Sequence, residues 1–326
     1  MRKIVLFSHR SFGGALASIG IRHLELARVA VAEGFSFTIV CRSFDNRWAA
    51  DGLSFVEYAT GSREIERAVD ESDIVMIDSN HDAADYPSVT GKPLVLDLPC
   101  PTPYEYLETE HIPWAYGRSL ENMNKSLSYA DVALVSNPRQ EPLIRGCLLA
   151  LNRHNPANYK NDVTLGGLVR VVPFGHPSEK FPDMEGALRD KIEGIEKDDM
   201  IGFWNGSIME WYDPECLIRA FASIHERAPR MKLVIPFDEN LLEGKGHPKG
   251  FAAVELAKEL GLYGKKIFFV GWFRTRSGRD TSRTRTSACS PLRTTWRRIT
   301  PAVRAFWIFY GVESRSFRRT GTITGI

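Results

Sequence analysis

No stretch of this chain approaches the ~18 consecutive apolar residues that a membrane-spanning helix needs. Cysteine is scarce too. The five (Cys41, Cys100, Cys147, Cys216, Cys289) are odd in number, far apart and form no CxxC pair. That argues against a disulfide framework and a structural zinc site, and suits a reducing, cytoplasmic setting. The basic start Arg2-Lys3 is followed by a short apolar run, Ile4 to Phe7, too brief for a secretory leader; it reads as a first β-strand. Also missing is the G-x-G-x-x-G fingerprint with an acid closing the next strand, which disfavours a nicotinamide dehydrogenase or epimerase. Lysine, used freely up to Lys266, never occurs again.

Among what is present, WNGSIMEWYDPECLIRAF (Trp204 to Phe221) organises the second half. It follows an apolar run, Met200 to Phe203, that reads as a buried strand. Asn205, Gly206 and Ser207 form a small-residue loop where backbone amides can approach a ligand. Asp213-Pro214 then supplies an N-cap and a proline at the first helical position. Leu217, Ile218, Phe221 and Ile224 follow at helical spacing. Strand, glycine loop and helix N-terminus suit a phosphate, because orphan amides and the helix dipole both face the anion. An ordinary strand-to-helix turn has the same pattern.

The N-terminal half alternates strand and helix. A first strand, a loop with Gly13 and Gly14, and a helix with Ile21, Leu24, Ala27 and Val31 on one stripe lead to Gly34 and a strand over Phe35 to Cys41. Further strands are expected at Asp73 to Ile77, Lys92 to Leu98, Ala130 to Val135 and Val169 to Pro173, with helices over Ser62 to Val69 and Arg139 to Leu151. This alternation predicts a parallel sheet, whose ligands bind beyond the carboxyl ends of the strands. The rule selects His9, Gly13, Gly14, Asp78, His81, Asp97 and Ser136 as candidate cleft residues. Each also has a structural reading: the aspartates as turn caps, the histidines as packing or surface groups.

Several segments resemble the group 1 (family four) glycosyltransferases of the type-B fold. SIGIRHLELARVAVAEGFSFTIV resembles their acceptor-side βαβ unit, and KPLVLDLPCPTPYEYLE a strand and acidic loop. The most specific match is SNPRQEPLIRGCLLALNRHNPANYKNDVTLGGLVRVVPFGHP, Ser136 to Pro177. WNGSIMEWYDPECLIRAF and KELGLYGKKIFFVGW resemble the nucleotide-sugar half; together the likeness covers about residues 1–272. It implies two Rossmann-like domains, an acceptor-side one over 1–177 and a partial nucleotide-sugar one over 178–272. It implies a retaining hexosyltransferase using a nucleoside-diphosphate sugar and a saccharide or lipid-linked acceptor, with peripheral contact at the inner membrane face. No metal or cofactor is implied, because a helix N-terminus and basic groups can neutralise the diphosphate. The resemblance places Asn205, Gly206, Ser207, Trp211 and Asp213 at the donor, and Gly13 and Gly14 in the N-terminal glycine loop. It identifies no catalytic side chain. The loop after Met231 to Phe237 departs from the family's glycine-centred pattern.

The resemblance stops at Trp272. Arg274 to Ile326 holds twelve arginines against two acids, a local charge of +10, while the rest of the chain carries −8 to leave the overall +2. The segment has no helical or strand period before Phe306. A basic nucleic-acid arm, a divergent C-terminus and translation in a shifted frame all fit this composition. The third is favoured. Regrouping permitted codons lets Phe273 to Ala288 read PYEERARYL, one unsettled residue, and then DADVGV. From about Arg293 the other frame permits DNLETHYS-x-RTRVLDFLWCGVPIVSTDGDYY. Both strings resemble the family's missing segment, in order. On this reading 273–326 is disordered or misfolded, nucleic acid is not a partner, and transfer is impaired. The alternative to an enzyme is a non-catalytic Rossmann-like binding remnant.

Overall fold

The computed structural model describes residues 2–13, 16, 18–45, 48, 52–57, 63–78, 91–108, 113–174, 192–204, 208–238 and 248–271. Their strands form two main parallel sheets. In the first, β1 (Lys3–Phe7), β3 (Ser36–Cys41), β5 (Ser54–Glu57), β6 (Ile74–Asp78), β7 (Leu94–Leu98), β8 (Val132–Val135) and β9 (Val169–Val171) lie in the order β5-β3-β1-β6-β7-β8-β9. The chain builds outward from β1 through β3 to β5. It then crosses back, sets β6 on the other side of β1, and continues to β9. The strand order therefore reverses between β1 and β6.

Alternating side chains explain why this sheet is buried on both faces. Val5 and Phe7 point into one core with Val75, Ile77, Leu96 and Leu98. On that side lie α2 (Arg63–Asp70), α4 (Pro113–Tyr129) and α5 (Gln140–Ala150), through Ile65, Met123 and Ile144. Leu6, Ile39, Cys41 and Met76 point to the other side, against Leu24 and Ala27 of α1 (Ser18–Ala32) and Trp48. α1 stops because Gly34 adopts φ +86°, and Phe35 N–H reaches back to the Ala30 carbonyl at 3.0 Å.

The expected strands and helices all form within a few residues of the bounds read from sequence. Two short strands, β2 (Ser11–Phe12) and β4 (Ser43–Phe44), pair apart from the main sheet; with two residues each they carry no periodic signal. β5 and α4 were also not anticipated. Exposed polar residues interrupt the apolar pattern of α4, while Ala115, Ser119, Met123, Ser126 and Leu127 face inward.

The second sheet is β10 (Met200–Phe203), β11 (Met231–Pro236) and β12 (Ile267–Val270), in that order, with α7 (Pro214–Ile224) and α8 (Pro248–Glu259) as crossovers. Ile218, Phe221, Val254 and Ala257 pack these helices onto Leu233, Ile235 and Ile267. α8 comes very close at Gly250. A methyl group there would run into the Phe237 ring, whose Cδ2 lies 2.6 Å from the required position. Phe237 cannot swing away easily, being 6% exposed and set edge-on to Phe251 at 5.1 Å. Gly250→Ala should therefore cost about 1–3 kcal/mol by overpacking, read as a lower urea midpoint at unchanged slope. A midpoint equal to the parent's would show that α8 can lift off.

The expected boundary near residue 177, the tail 273–326, and the positions Gly14, His81, Asn205, Gly206 and Ser207 lie outside the described residues.

Candidate functional site

The strand order reverses between β1 and β6, and doubly wound sheets bind ligands beyond the carboxyl ends of the strands at such a reversal. His9 follows β1 and Asp78 ends β6. The His9 backbone N–H donates to Asp78 Oδ2 at 3.3 Å, and its ring Nδ1 is in close hydrogen-bond contact with the same oxygen. The Asp78 side chain is 2% exposed and that of His9 22%. A buried carboxylate thus fixes the imidazole through Nδ1 and leaves Nε2 as the other ring nitrogen. An oriented imidazole of this kind can take a proton from a hydroxyl. The two residues were each legible as cleft candidates; their pairing was not.

Gly13 also lies at this edge. A Cβ built there meets nothing within 4 Å, so packing does not demand glycine at that position.

Asp97, expected to face the cleft, is instead 0% exposed and occupied. Arg22 Nε contacts its two oxygens at 3.0 and 2.9 Å, and a terminal nitrogen donates to Oδ1 at 2.8 Å. The other terminal nitrogen of Arg22 donates to the carbonyls of Val172 (2.8 Å) and Pro173 (3.3 Å). His23 Nε2 lies 3.3 Å from Asp97 Oδ2 without hydrogen-bond alignment, and its Nδ1 is 2.9 Å from Ser8 Oγ. Ser8, His23 and Asp97 are linked in the order of a nucleophile, base and orienting acid. They are 1%, 0% and 0% exposed, so no substrate carbonyl can reach Ser8, and this order does not make a hydrolase.

Ser136 is likewise committed to structure. Its hydroxyl donates to the Pro99 carbonyl at 2.6 Å, and its N–H donates to Gln140 Oε1 at 2.8 Å. These bonds tie the end of β8 to the loop after β7.

That loop carries a polar group absent from the sequence reading. Cys100, just before the helical turn α3 (Thr102–Glu105), and Glu105 at its end are hydrogen-bonded to one another. Burial pushes the Glu105 carboxyl up, against the thiol hydrogen bond and the attraction of Arg10. Burial, then the Glu105 charge, pushes the Cys100 thiol well above its usual range. A carboxyl raised in the folded state stabilises below its unfolded value and loses that contribution as pH rises through the folded one. Glu105→Gln should therefore melt higher than the parent at neutral pH, with the gap closing below pH ~4, where both states hold the proton. A gap that persists at low pH would assign the gain to something other than ionisation.

On the second sheet, Trp204 is 7% exposed and belongs to the core beside Ile208. Tyr212 stands edge-on to it at 5.8 Å, and the Trp211 ring lies 5.9 Å from Tyr212, tilted. Burial raises the Tyr212 phenol, the Trp211 hydrogen bond opposes this, and the charges of Glu105 and Cys100 add to the rise.

Asp213 caps α7: its Oδ1 accepts from Cys216 N–H at 3.0 Å. Pro214 has no N–H to offer, so one of the first amides is absent and another is taken by a carboxylate. The α7 N-terminus alone is a weaker anion site than the sequence pattern implied, and an anion there would rely on the loop before it.

Among the described residues, no group of three or more His, Cys, Asp or Glu side chains gathers to hold a metal ion. No described helix is long and apolar enough to cross a membrane.

No family model matches the chain, and no curated protein matches it either. Solved structures do. Sucrose-phosphate synthase from Thermosynechococcus elongatus aligns with 84% of this chain and 71% of its own, at 15% identity and a TM-score of 0.59. WaaG, a glycosyltransferase involved in lipopolysaccharide biosynthesis, aligns with 82% of this chain and 70% of its own, at 14% identity and a TM-score of 0.53. At these identities the likeness concerns architecture. The chain has the two-sheet α/β fold, of the GT-B type, that these glycosyltransferases share.

Proposed function

We propose that the chain is a glycosyltransferase that moves a sugar from a nucleoside-diphosphate donor to a saccharide or lipid-linked acceptor. The observation that carries this reading is the His9–Asp78 pair at the strand reversal of a GT-B fold. The acceptor hydroxyl binds beside His9, which takes its proton as the oxygen attacks the anomeric carbon. Asp78 holds the ring and stabilises the imidazolium. The bond to the diphosphate breaks, and the nucleoside diphosphate leaves with the bonding pair. Asn205, Gly206 and Ser207 supply backbone amides to that charge, Trp211 borders the donor, and Asp213 shapes the helix start. Gly13, Gly14 and His81 line the acceptor side. Asp97 and Ser136 brace the surrounding segments through their hydrogen bonds to Arg22 and to the Pro99 carbonyl.

Resemblance and geometry part on stereochemistry. Membership of the retaining group would give a product of unchanged anomeric configuration, whereas a base on the acceptor hydroxyl fits a single in-line displacement with inversion. Incubating the protein with a panel of nucleotide sugars and glycan acceptors tests both. Nucleoside diphosphate release above the buffer rate supports transfer, and the anomeric proton coupling of the product decides its course. No release at micromolar protein would favour the binding remnant.

The tail bears on how much activity to expect. Sequencing the coding DNA from the codon for Gly261 onward should reveal two single-base slips, near Phe273 and near residue 291. The repaired chain should then transfer faster than the printed one. Confirmation of the printed frame would remove this explanation and leave the arginine-rich segment as a genuine part of the protein.

A further inference from the structure

The Arg22–Asp97 pair is hard to explain as a stabilising device. Buried ion pairs recover little more than their desolvation cost, and apolar pairs of similar volume often do as well. Its connections are more informative. At one end Arg22 grips Val172 and Pro173 and covers the Phe174 ring at 5.1 Å; these are the residues by which the chain leaves the first sheet. At the other end, Asp97 and His23 lead to Ser8 Oγ, which also lies 3.4 Å from the Arg10 N–H. Ser8 and Arg10 are the two neighbours of His9. One buried chain of contacts, hydrogen-bonded except for the 3.3 Å approach of His23 Nε2 to Asp97 Oδ2, and with Arg22 and Asp97 side chains 3% and 0% exposed, therefore runs from the exit segment to the backbone on both sides of the candidate base.

We propose that Arg22, Asp97 and His23 are positioning residues that couple the Val172–Phe174 exit segment to the placement of His9. The proposal rests on the glycosyltransferase reading for its purpose, and on the geometry for its mechanism. Arginine is required because its planar fork serves a carboxylate and two carbonyls at once; a lysine ammonium cannot reach all of them. The segment it holds is otherwise lightly tethered, with Val172 half-buried and Pro173 and Phe174 exposed. Among the described residues, the Val172 N–H bond to the Val135 carbonyl (2.8 Å) is its other backbone tie.

The test uses the full chain with Arg22→Met/Asp97→Leu, which removes both charges while keeping the volume, and Arg22→Lys, which keeps the charge pair. Hydrogen exchange of the peptide covering 169–174 and the imidazole NMR signals of His9 are read in each. The expected result is faster exchange and shifted His9 signals in both variants. Where transfer is measurable, kcat should fall roughly ten- to hundredfold at little-changed donor KM, as for a misplaced catalytic group. Parent-like exchange together with parent-like His9 signals in a folded double variant would overturn the proposal. If the double variant does not fold, the same two readings on Arg22→Lys decide. Neither reading needs turnover. A parent chain that transfers no sugar would refute the glycosyltransferase function while leaving the coupling tested.

Discussion

Replacing His9 by alanine should lower the rate of sugar transfer by about 10²–10⁴, the usual contribution of a positioned general base. The argument is one of orientation. Asp78 is 2% exposed and meets both the ring and the backbone N–H of His9, so the imidazole has one preferred pose at the strand reversal. Alanine removes the proton acceptor but keeps the backbone bond to Asp78. His9→Asn keeps a polar side chain and should be no more active, because an amide cannot take the proton. Donor KM should move little in both, since the loss is confined to the transition state. A variant within threefold of the parent would remove His9 from the chemistry and strengthen the retaining, base-free course.

Asp97→Ala should destabilise the chain by about 3–5 kcal/mol, the range for removing one partner of a buried ion pair. The cost comes from what is left behind. Arg22, with its side chain 3% exposed, would keep two carbonyl contacts but lose its counter-charge, and His23 at 0% exposure would lose its neighbour. Urea unfolding followed by tryptophan fluorescence would read the change. Against a domain stability of about 5–15 kcal/mol such a loss is a large fraction of the total and lowers the urea midpoint clearly; at the low end of that range it also leaves part of the chain unfolded without denaturant. A loss below 1 kcal/mol would mean that water reaches Arg22 in the variant, and that the network is looser than its burial implies.

The sequence reading and the structure part at identifiable places. Asp97 and His9 looked equivalent in sequence, each a polar residue at the carboxyl end of an apolar strand. The structure separates them by burial: Arg22, 75 positions from Asp97, seals the first, while the second stays 22% exposed. Asp213 was legible as an N-cap, and that cap forms. The Cys100–Glu105 pair gave no signal, because the hydrogen bond depends on how the turn after β7 folds back on itself.

What the chain determined by itself was its local order. Apolar runs of four to six residues separated by amphipathic helices demand parallel strands with crossovers, and each strand's alternation is satisfied by burying both faces. That much is written in neighbouring residues. Tertiary structure decided which polar groups became a site, because strand order is not a local property. His9 and Asp78 lie 69 positions apart and meet only because β6 crosses back to β1. Arg22 and Asp97 meet because α1 packs over β7's end. A carboxylate alone cannot signal whether it will face water, an arginine or a histidine; the partner's approach through the fold fixes that, and with it the chemistry.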